Sequence, residues 1–594
     1  MSEPNLNLAA IGNCQVSALI DMRARCVWAC LPRHDGDPIF CSLINGGVDD
    51  GYMDVDLAQF ASSEQFYRRN TAVVETILRD SAGGALRVVD FCPRFRRFGR
   101  MFRPIMFVRL IEPMAGRPVL RLRVRPLCEY GARKPRTTVG SNHVRFETAT
   151  MTLRLTTDAP LTQLLEERPF ALSGPIAMVF GPDETLPDAP AAFAHSMLEG
   201  TTRYWLDWVR GLAVPFEWQE AVIRAAITLK LCTFEDTGAV IAAMTTSIPE
   251  SANSGRNWDY RYCWLRDSYF TVQALNRLGA TRTMEAFLRY ITNIIEGAGA
   301  GTLQPLYGIS GEPLLTERVV ETLKGYRGMG PVRIGNEAYT QAQNDVYGAV
   351  VLSSTQSFYD DRLESPGDQW LFERLERLGE RAALLYEKPD AGLWEYRGRA
   401  RVHTFSAVMC WAACDRLARV AGRLGLQERA REWRARADVM HEKISTLGWD
   451  EGQKTFTESF GHSALDASLL VLHELGFLSP DDPRFRSTVA AIEKALKRGR
   501  YLVRYHGADD FGVPENAFNF CSFWFINALA VTGRREEARE LFEHMLARRT
   551  PQGLMSEDLD PRSGELWGNY PQTYSMVGII NAAMRLSRSW EEAL

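Results

Sequence analysis

Long apolar runs are missing from this sequence of 594 residues, and so is an excess of charge of either sign. No stretch approaches the roughly 18 consecutive apolar residues that a membrane-spanning helix needs. The 69 Lys and Arg residues are balanced by 73 Asp and Glu residues, giving a formal net charge of −4. Since no Lys/Arg-rich tract stands out, we expect neither a nucleic acid nor a membrane as a partner.

Cysteines are few and show no metal-binding spacing. The 11 cysteines are spread from Cys14 to Cys521 without a Cys-x-x-Cys pair, which favours reduced, buried thiols over a disulfide framework or a zinc cluster. The first residues, MSEPNLNLAAIGNC, lack the basic start and the apolar stretch of a secretory signal. The expected compartment is therefore the cytoplasm.

Residues 1–185 alternate apolar and polar residues with a period of two. This pattern turns one face of a strand inward and the other toward water, and clusters such as INGGVDDG separate the segments. We predict an antiparallel β-sandwich over 1–185, followed by a Pro/Asp-rich linker over 186–215. The clearest alternating segments lie at 72–80, 85–92, 120–125, 144–147 and 151–157.

From about residue 216 to residue 594 the apolar period becomes helical. Some predicted helices, such as 404–423, are apolar almost all round, whereas others, such as 427–446, carry a charged face. Six buried inner helices and six more polar outer ones explain this alternation, with an irregular packing of a dozen helices as the alternative. The predicted fold class is multidomain β + α, an N-terminal antiparallel β-sandwich followed by an (α/α)6 toroid barrel. The twelve predicted helices span 217–234, 265–278, 281–297, 338–358, 367–387, 404–423, 427–446, 464–476, 484–498, 515–532, 534–548 and 571–587.

The predicted connection over 296–336 is far longer than a normal link between helices. Loops of this length inside a compact domain are usually functional. Its GAGAGT sequence follows a predicted helix rather than a strand and lacks the Gly-Lys-Ser/Thr ending, which argues against a phosphate-binding loop. We expect this connection to lie near the site.

Three segments combine aromatic and charged residues in a way that suits a sugar. Residues 257–267, NWDYRYCWLRD, are too aromatic for a solvated loop and too charged for a core. Aromatic faces stack on sugar C–H groups, while Arg and carboxylate groups bind hydroxyls. Glu395 lies between two aromatic residues, an environment that raises a carboxyl pKa, although a plain surface glutamate is the alternative. Residues 553–569 hold four carboxylates in nine residues, without the spacing of an EF-hand.

Seven motifs follow one another along the chain: RNWDYRYCWLRD, LQPLYG, PVRIGNEAYTQAQNDVYG, GLWEYRG, FTESFGHSALDASLL, LVRYHGADDFGVPENAFNFCSFW and GLMSEDLDPRSGELWGNYPQTYS. In this order they resemble glycoside hydrolase family 15, the glucoamylases and their bacterial trehalase and glucodextranase relatives. The resemblance extends over the whole chain, and IGNCQVSALID and DPIFCSLINGG are similar to the β-domain that bacterial members carry before an (α/α)6 barrel.

This resemblance implies an inverting, exo-acting hydrolase that releases β-glucose from the non-reducing end of short α-glucans. Glu395 in GLWEYR matches the general acid, and Glu557 in MSEDLD matches the general base that activates water. Two carboxyls roughly 6.5–9.5 Å apart leave room for that water in inverting enzymes. The substrate-binding residues expected from the same motifs are Trp258, Tyr260, Trp264, Arg266, Asp267, Tyr307, Trp394 and Arg504.

Two departures from the family pattern leave the exact substrate open. Tyr396 stands where fungal glucoamylases have a second glutamate, and Met576 where many bacterial relatives have His. A trehalase using the same two carboxylates is the main alternative, and a phosphorylase or a non-catalytic glycan-binding protein are others. The hydrolytic chemistry requires no cofactor and no catalytic metal, while a structural cation near Asp558 and Asp560 and the oligomeric state stay open.

Overall fold

The computed structural model describes residues 4–298 and 302–593, and its first part is a β-sandwich with antiparallel pairing throughout both sheets. Residues 299–301, within the GAGAGT sequence, lie outside the described residues. The first sheet contains, in spatial order, Leu8–Gly12, Ser17–Asp21, Cys26–Leu31, Tyr52–Leu57, Val119–Arg125 and Phe170–Ala171, with Asp37–Phe40 paired to Cys26–Leu31. The second contains Arg136–Val139, His143–Glu147, Thr152–Thr157, Ile176–Pro182, Phe107–Ala115, Ala85–Phe91, Val74–Asp80 and Phe60–Tyr67.

Alternation along the strands builds the core between the two sheets, as the sequence predicted. Leu120 and Leu122 are buried on one side of Val119–Arg125, while the arginines that alternate with the apolar residues of this strand are only partly covered. Val88 and Ile111 of the second sheet belong to the same apolar core. Burying such side chains contributes about 1.5–3 kcal/mol each, which is why the period of two specifies the sandwich.

A helix, Pro190–Arg210, occupies most of the segment predicted as a linker. Phe193 and Met197 on one face of this helix pack on Val89 and Val108, on the outer face of the second sheet. The apolar residues recur at helical spacing, and a proline at the first helical position suits a helix start. The Pro/Asp-rich residues just before the helix made this pattern hard to recognise in the sequence. Most of the segment 186–215 is therefore a helix that covers the second sheet rather than a loose connection.

The second part is a closed double ring of helices, and the predicted (α/α)6 toroid is confirmed. Each inner element packs against the next, and the last packs against the first, so the ring closes. The inner elements are Leu265–Arg277, Asp345–Thr355, Thr404–Arg423, the 3₁₀ turn Ala467–Val471, Asn519–Val531 and Thr573–Leu586. The outer helices are Gln219–Leu231, Thr281–Gly297, Gln369–Leu385, Gln427–Leu447, Pro483–Leu496 and Arg535–Leu546.

The fourth inner element differs from the helix predicted over 464–476. Residues just before it are extended, because Asp466 forms a β-bridge with Tyr505 and the amide of Ala467 donates to the carbonyl of Arg504. These bonds compete with helix formation, so only the short turn Ala467–Val471 remains. Its buried Leu and Val residues still fill the inner position.

All 11 cysteines are buried as free thiols. Within the described residues, no helix combines the length and the apolar character needed to cross a bilayer.

Shorter elements complete the chain. Two short helices are Leu161–Leu165 and Trp590–Ala593, and two 3₁₀ turns are Glu337–Thr340 and Gln356–Phe358. The short strand pairs are Phe95–Arg97 with Arg100–Phe102, Thr233–Phe234 with Ala239–Val240, Cys263–Trp264 with Leu306–Tyr307, Arg318–Val319 with Arg333–Ile334, Trp449–Asp450 with Thr455–Phe456, Lys497–Arg498 with Tyr501–Leu502, and Asp558–Leu559 between Ala517–Phe518 and Leu566–Trp567.

The sandwich docks on the ring through its first sheet. The indole Nε1 of Trp28 donates to the carbonyl of Met244 at 2.8 Å, and the hydroxyl of Tyr570 donates to the carbonyl of Leu8 at 2.5 Å. Apolar residues of the first sheet's outer face share one core with the helices. The long connection also meets the sandwich, since the amide of Gly325 donates to the carbonyl of Ile44 at 2.8 Å.

Candidate active site

An open cavity of about 890 Å³ lies where the inner helices begin. Trp264, Phe518 and Gln572 each directly precede an inner helix, and all three line the cavity. Every lining residue falls within 242–574, so none comes from the sandwich. The cavity is open to solvent, and its walls combine aromatic, Arg and carboxylate side chains, which suit a small polar ligand.

Glu395 sits on a tight turn at the cavity wall. Its backbone is left-handed, with φ of +60°, and its amide donates to the carbonyl of Gly392 at 3.1 Å. Left-handed backbone is costly for a residue other than glycine and clusters at functional sites. Its Oε1 accepts from Trp264 Nε1 at 2.7 Å, from Gln343 Nε2 at 3.2 Å and from Arg266 at 3.4 Å.

Glu557 is the more deeply buried of the two predicted catalytic carboxyls. Only 2% of the residue is exposed, and its Oε1 accepts a hydrogen bond from the hydroxyl of Tyr260 at 2.6 Å. Burial raises the pKa of Glu557 to about 7, while the nearby Arg504 guanidinium and the Tyr260 hydroxyl act in the opposite direction. The carboxyl therefore changes charge near neutral pH.

One aromatic pair connects the two carboxyls. The rings of Tyr260 and Trp264 meet edge to face with 5.5 Å between centroids, and each donates to one of the two glutamates. Both residues come from the segment 257–267 that the sequence singled out. The structure thus brings Glu395, Glu557 and this segment to one cavity, as their chemistry suggested.

The floor of the cavity holds Arg266 and Asp267, at the start of the first inner helix. The Arg266 guanidinium donates to Gln343 at 2.8 Å and to Asp345 at 3.0 Å, and lies 3.8 Å from Asp267. Burial raises the pKa of Asp267 to about 7, and its Oδ1 accepts no hydrogen bond from the described residues. Asp267 lines the cavity with 10% of its side chain exposed, although Oδ1 itself is buried.

Arg504 is buried in the wall of the cavity. Its guanidinium is buried, pairs with Glu250, and lies 5.5 Å from the centroid of the Phe518 ring. Glu250 also accepts from the indole Nε1 of Trp258 at 2.9 Å. Trp394 lines the same cavity as these residues, 6.0 Å from the Arg504 guanidinium.

Tyr307 is the one predicted substrate-binding residue that the structure does not place in the cavity. Its strand pairs with Cys263, and its side chain is 6% exposed within the apolar core of the ring. The Tyr307 hydroxyl accepts from the backbone amide of Gln304 at 3.0 Å. Alternation along this short strand turns the ring toward the core, which the motif alone does not reveal.

Several cavity residues were missed by sequence reasoning. Tyr574 lines the cavity, and Gln343 donates to Glu395 although it is not part of the lining. Both lie inside motifs, YPQTYS and AYTQAQNDVYG, so the resemblance marked their neighbourhood without singling them out. Glu250 lies outside those motifs, and only its ion pair with Arg504 in the structure identifies it as part of the site. Further missed lining residues are Arg256, Gln341, Arg397, Asp509, Asp510 and Phe511.

The carboxylates of the Asp-rich loop lie in different surroundings. Asp558 is 1% exposed, and neither of its oxygens has a hydrogen-bond partner among the described residues. Asp560 faces outward and accepts from the amide of Arg562 at 2.9 Å and from Ser563. Over 4–298 and 302–593, no three His, Cys, Asp or Glu side chains group as metal ligands.

Comparisons with known proteins identify relatives of this chain in sequence and in fold. The chain is 40% identical to a trehalase of Mycobacterium tuberculosis over 403 residues, 66% of this chain and 58% of that protein. It is 30% identical to a trehalase of Thermoplasma volcanium over 596 residues, 98% of this chain and 93% of that protein. A bacterial glucoamylase solved with acarbose matches the fold with a TM-score of 0.71 at 14% identity, over 98% of this chain and 94% of the other.

Two family models divide the chain between them. Residues 4–160 match the model of the trehalase-like N-terminal domain, which covers most of the sandwich. Residues 218–584 match the model of glycosyl hydrolases family 15, which covers the helical ring and every residue of the cavity. The chain belongs to glycosyl hydrolases family 15.

Proposed function

We propose that the protein hydrolyses α,α-trehalose to two glucose molecules with inversion at the attacked carbon. The observation that carries the proposal is the pair Glu395 and Glu557 in one cavity of a chain whose relatives over nearly its full length are named trehalases. The sequence alone favoured a malto-oligosaccharide, with trehalose as the alternative. The relatives reverse that order, while the proposed chemistry stays the same.

Glu395 is the proposed general acid. It protonates the oxygen between the two sugars as the bond to the attacked carbon breaks. Its three hydrogen-bond donors all meet Oε1, so Oε2 is the oxygen that carries the proton toward the substrate. The strained turn directs this carboxyl into the cavity at a fixed angle.

Glu557 is the proposed general base. It takes a proton from a water molecule that attacks the sugar from the face opposite the leaving group. The base must be ionised, and the hydroxyl of Tyr260 favours that state by donating to Oε1. The second oxygen, Oε2, is then available to the water.

Replacing each glutamate tests these roles separately. Glu395→Gln and Glu557→Gln should each lower kcat on trehalose by about 10²–10⁴-fold, because each removes one proton transfer. α-Glucosyl fluoride provides the control, since fluoride leaves without protonation. Glu395→Gln should keep most activity on the fluoride, whereas Glu557→Gln should lose it; equal behaviour of the two variants would contradict the assignment.

Proton NMR of the first products tests the substrate and the inversion together. Inverting hydrolysis of trehalose gives one β-glucose, from the attacked sugar, and one α-glucose, from the leaving group. Retention would give two α-glucose molecules, and a phosphorylase would give glucose 1-phosphate only when phosphate is supplied. Glucose from maltose but not from trehalose would keep the mechanism and replace the substrate.

A further inference from the structure

The cavity has a buried floor and an exposed rim, and Arg397 lies on the rim. The Arg397 side chain is 30% exposed, whereas that of Arg266 on the floor is 4% exposed. Asp510 and Phe511 line the same outer part and are also exposed or partly exposed. A sugar bound on the floor therefore points its partner sugar toward this rim.

Arg397 is held across the rim by groups from three loops. Its guanidinium binds both carboxylate oxygens of Glu317, at 3.1 Å and 2.7 Å. It also lies 4.8 Å from the centroid of the Trp258 ring, and its backbone amide donates to Asp510 at 2.7 Å. A bidentate ion pair with an aromatic face beneath it fixes the direction of a guanidinium, so Arg397 is preorganised without substrate.

The remaining donors of Arg397 are suited to a sugar. A guanidinium carries five N–H groups, and two of them bind Glu317, which leaves three without a hydrogen bond to the described residues. Arg397 lines the same cavity as the proposed acid Glu395 and follows it by two residues. A sugar attached to the oxygen that Glu395 protonates must lie close to both.

We propose that Arg397, positioned by Glu317 and by the ring of Trp258, binds the hydroxyls of the leaving-group sugar. This inference rests on the proposed function, because it needs a glucoside whose scissile oxygen meets Glu395. Arg397 takes no part in proton transfer. Its contribution is to substrate binding and to selection of the second sugar.

The test compares a substrate that has a leaving-group sugar with one that lacks it. Arg397→Ala should lower kcat/KM for trehalose by about tenfold to a hundredfold, mainly through a higher KM, because hydrogen bonds from a charged donor are lost. The same variant should hydrolyse α-glucosyl fluoride within about threefold of the wild type. Glu317→Gln, which weakens the hold on the guanidinium, should show a smaller loss of the same kind.

Arg399→Ala is the matched control from the same loop. Arg399 pairs with Glu458 and lies over the ring of Tyr396, outside the cavity lining. It should leave the KM for trehalose unchanged, and melting temperatures check that each variant is folded. Equal losses on trehalose and the fluoride in Arg397→Ala, or no loss on either, would overturn the inference.

The wild type separates this inference from the proposed function. If it cleaves the fluoride and maltose but not trehalose, the proposed substrate fails, and the same comparison with maltose decides the role of Arg397. If the wild type cleaves none of the three, both the proposed function and the inference fail.

Discussion

Burial and a hydrogen bond shift the pKa of the Glu557 carboxyl in opposite directions. Burial disfavours the charged form and raises the pKa to about 7, while the Tyr260 hydroxyl donates to the carboxylate and favours it. A base must be ionised to accept a proton from water. The activity should therefore fall as the pH drops through the pKa of Glu557, which places the acid limb of kcat/KM near neutral pH.

Removing the hydroxyl of Tyr260 should move that limb. Tyr260→Phe takes away a donor to the charged form, so the pKa of Glu557 rises and the acid limb of kcat/KM shifts to higher pH. A shift of one pH unit lowers activity about tenfold at a pH well below the limb. The matched control is Tyr262→Phe, whose hydroxyl accepts from the amide of Gly335 instead. If the acid limb of kcat/KM stays at the same pH in Tyr260→Phe, the Tyr260 hydroxyl does not control the pKa of Glu557.

Asp267 offers a second prediction at the residue scale. Its side chain lines the cavity and is 10% exposed, so we expect the carboxyl to bind a substrate hydroxyl. Asp267→Ala should cost about 2–4 kcal/mol in kcat/KM, measured at saturating and limiting trehalose. The competing explanation is a structural ion pair with Arg266, 3.8 Å away. A variant that melts earlier but keeps kcat/KM would favour that explanation.

At the scale of elements, Asp466 connects the fourth inner element, the turn Ala467–Val471, to the cavity. Its carboxylate accepts from the amide of Ser468 at 2.7 Å, capping the turn Ala467–Val471, and from the indole of Trp394 at 3.2 Å. Asp466→Ala should cost about 1–3 kcal/mol of stability, because the cap is lost and the partly buried indole of Trp394 loses its acceptor. It should also raise the KM for trehalose, since Trp394 lines the cavity.

A second capping residue provides the control for this prediction. Asp482 accepts from the amide of Arg484 at 2.8 Å and caps the outer helix Pro483–Leu496, away from the cavity. Thermal unfolding of Asp482→Ala should show a similar loss of stability with an unchanged KM. If both variants leave the KM unchanged, the link from the fourth inner element to Trp394 does not affect substrate binding.

Periodicity predicted the elements whose stability comes from their own apolar pattern. The helix Thr404–Arg423 begins and ends where the sequence placed it, because its residues are buried nearly all round. Ala467–Val471 was predicted too long, since backbone bonds to residues 504–505 are invisible in a local pattern. In the site, motifs located Glu395 and Glu557 in one cavity, but the orientation of Tyr307 depends on strand pairing that no motif contains.

At the scale of the whole molecule, the sandwich supports the aromatic segment of the site from behind. Arg261 and Asp259 form a fully buried ion pair on either side of Tyr260. The Arg261 guanidinium also donates to the carbonyl of Gly36 at 2.8 Å and lies 6.0 Å from the Trp28 ring, both in the sandwich. Breaking such a buried pair is strongly destabilising, so the sandwich fixes the segment without lining the cavity.

Removing the sandwich should therefore damage both solubility and activity. A chain of residues 212–594 exposes the apolar surface that now packs on the first sheet, and leaves Arg261 without its contacts to Gly36 and Trp28. We expect this chain to aggregate, or to hydrolyse trehalose with a kcat/KM well below that of the full protein. Size-exclusion chromatography and glucose release measure the two effects. Residues 1–211 supplied as a separate chain should restore part of the activity by re-forming the interface. A monodisperse, fully active 212–594 chain would show that the ring positions Tyr260 and Arg261 by itself.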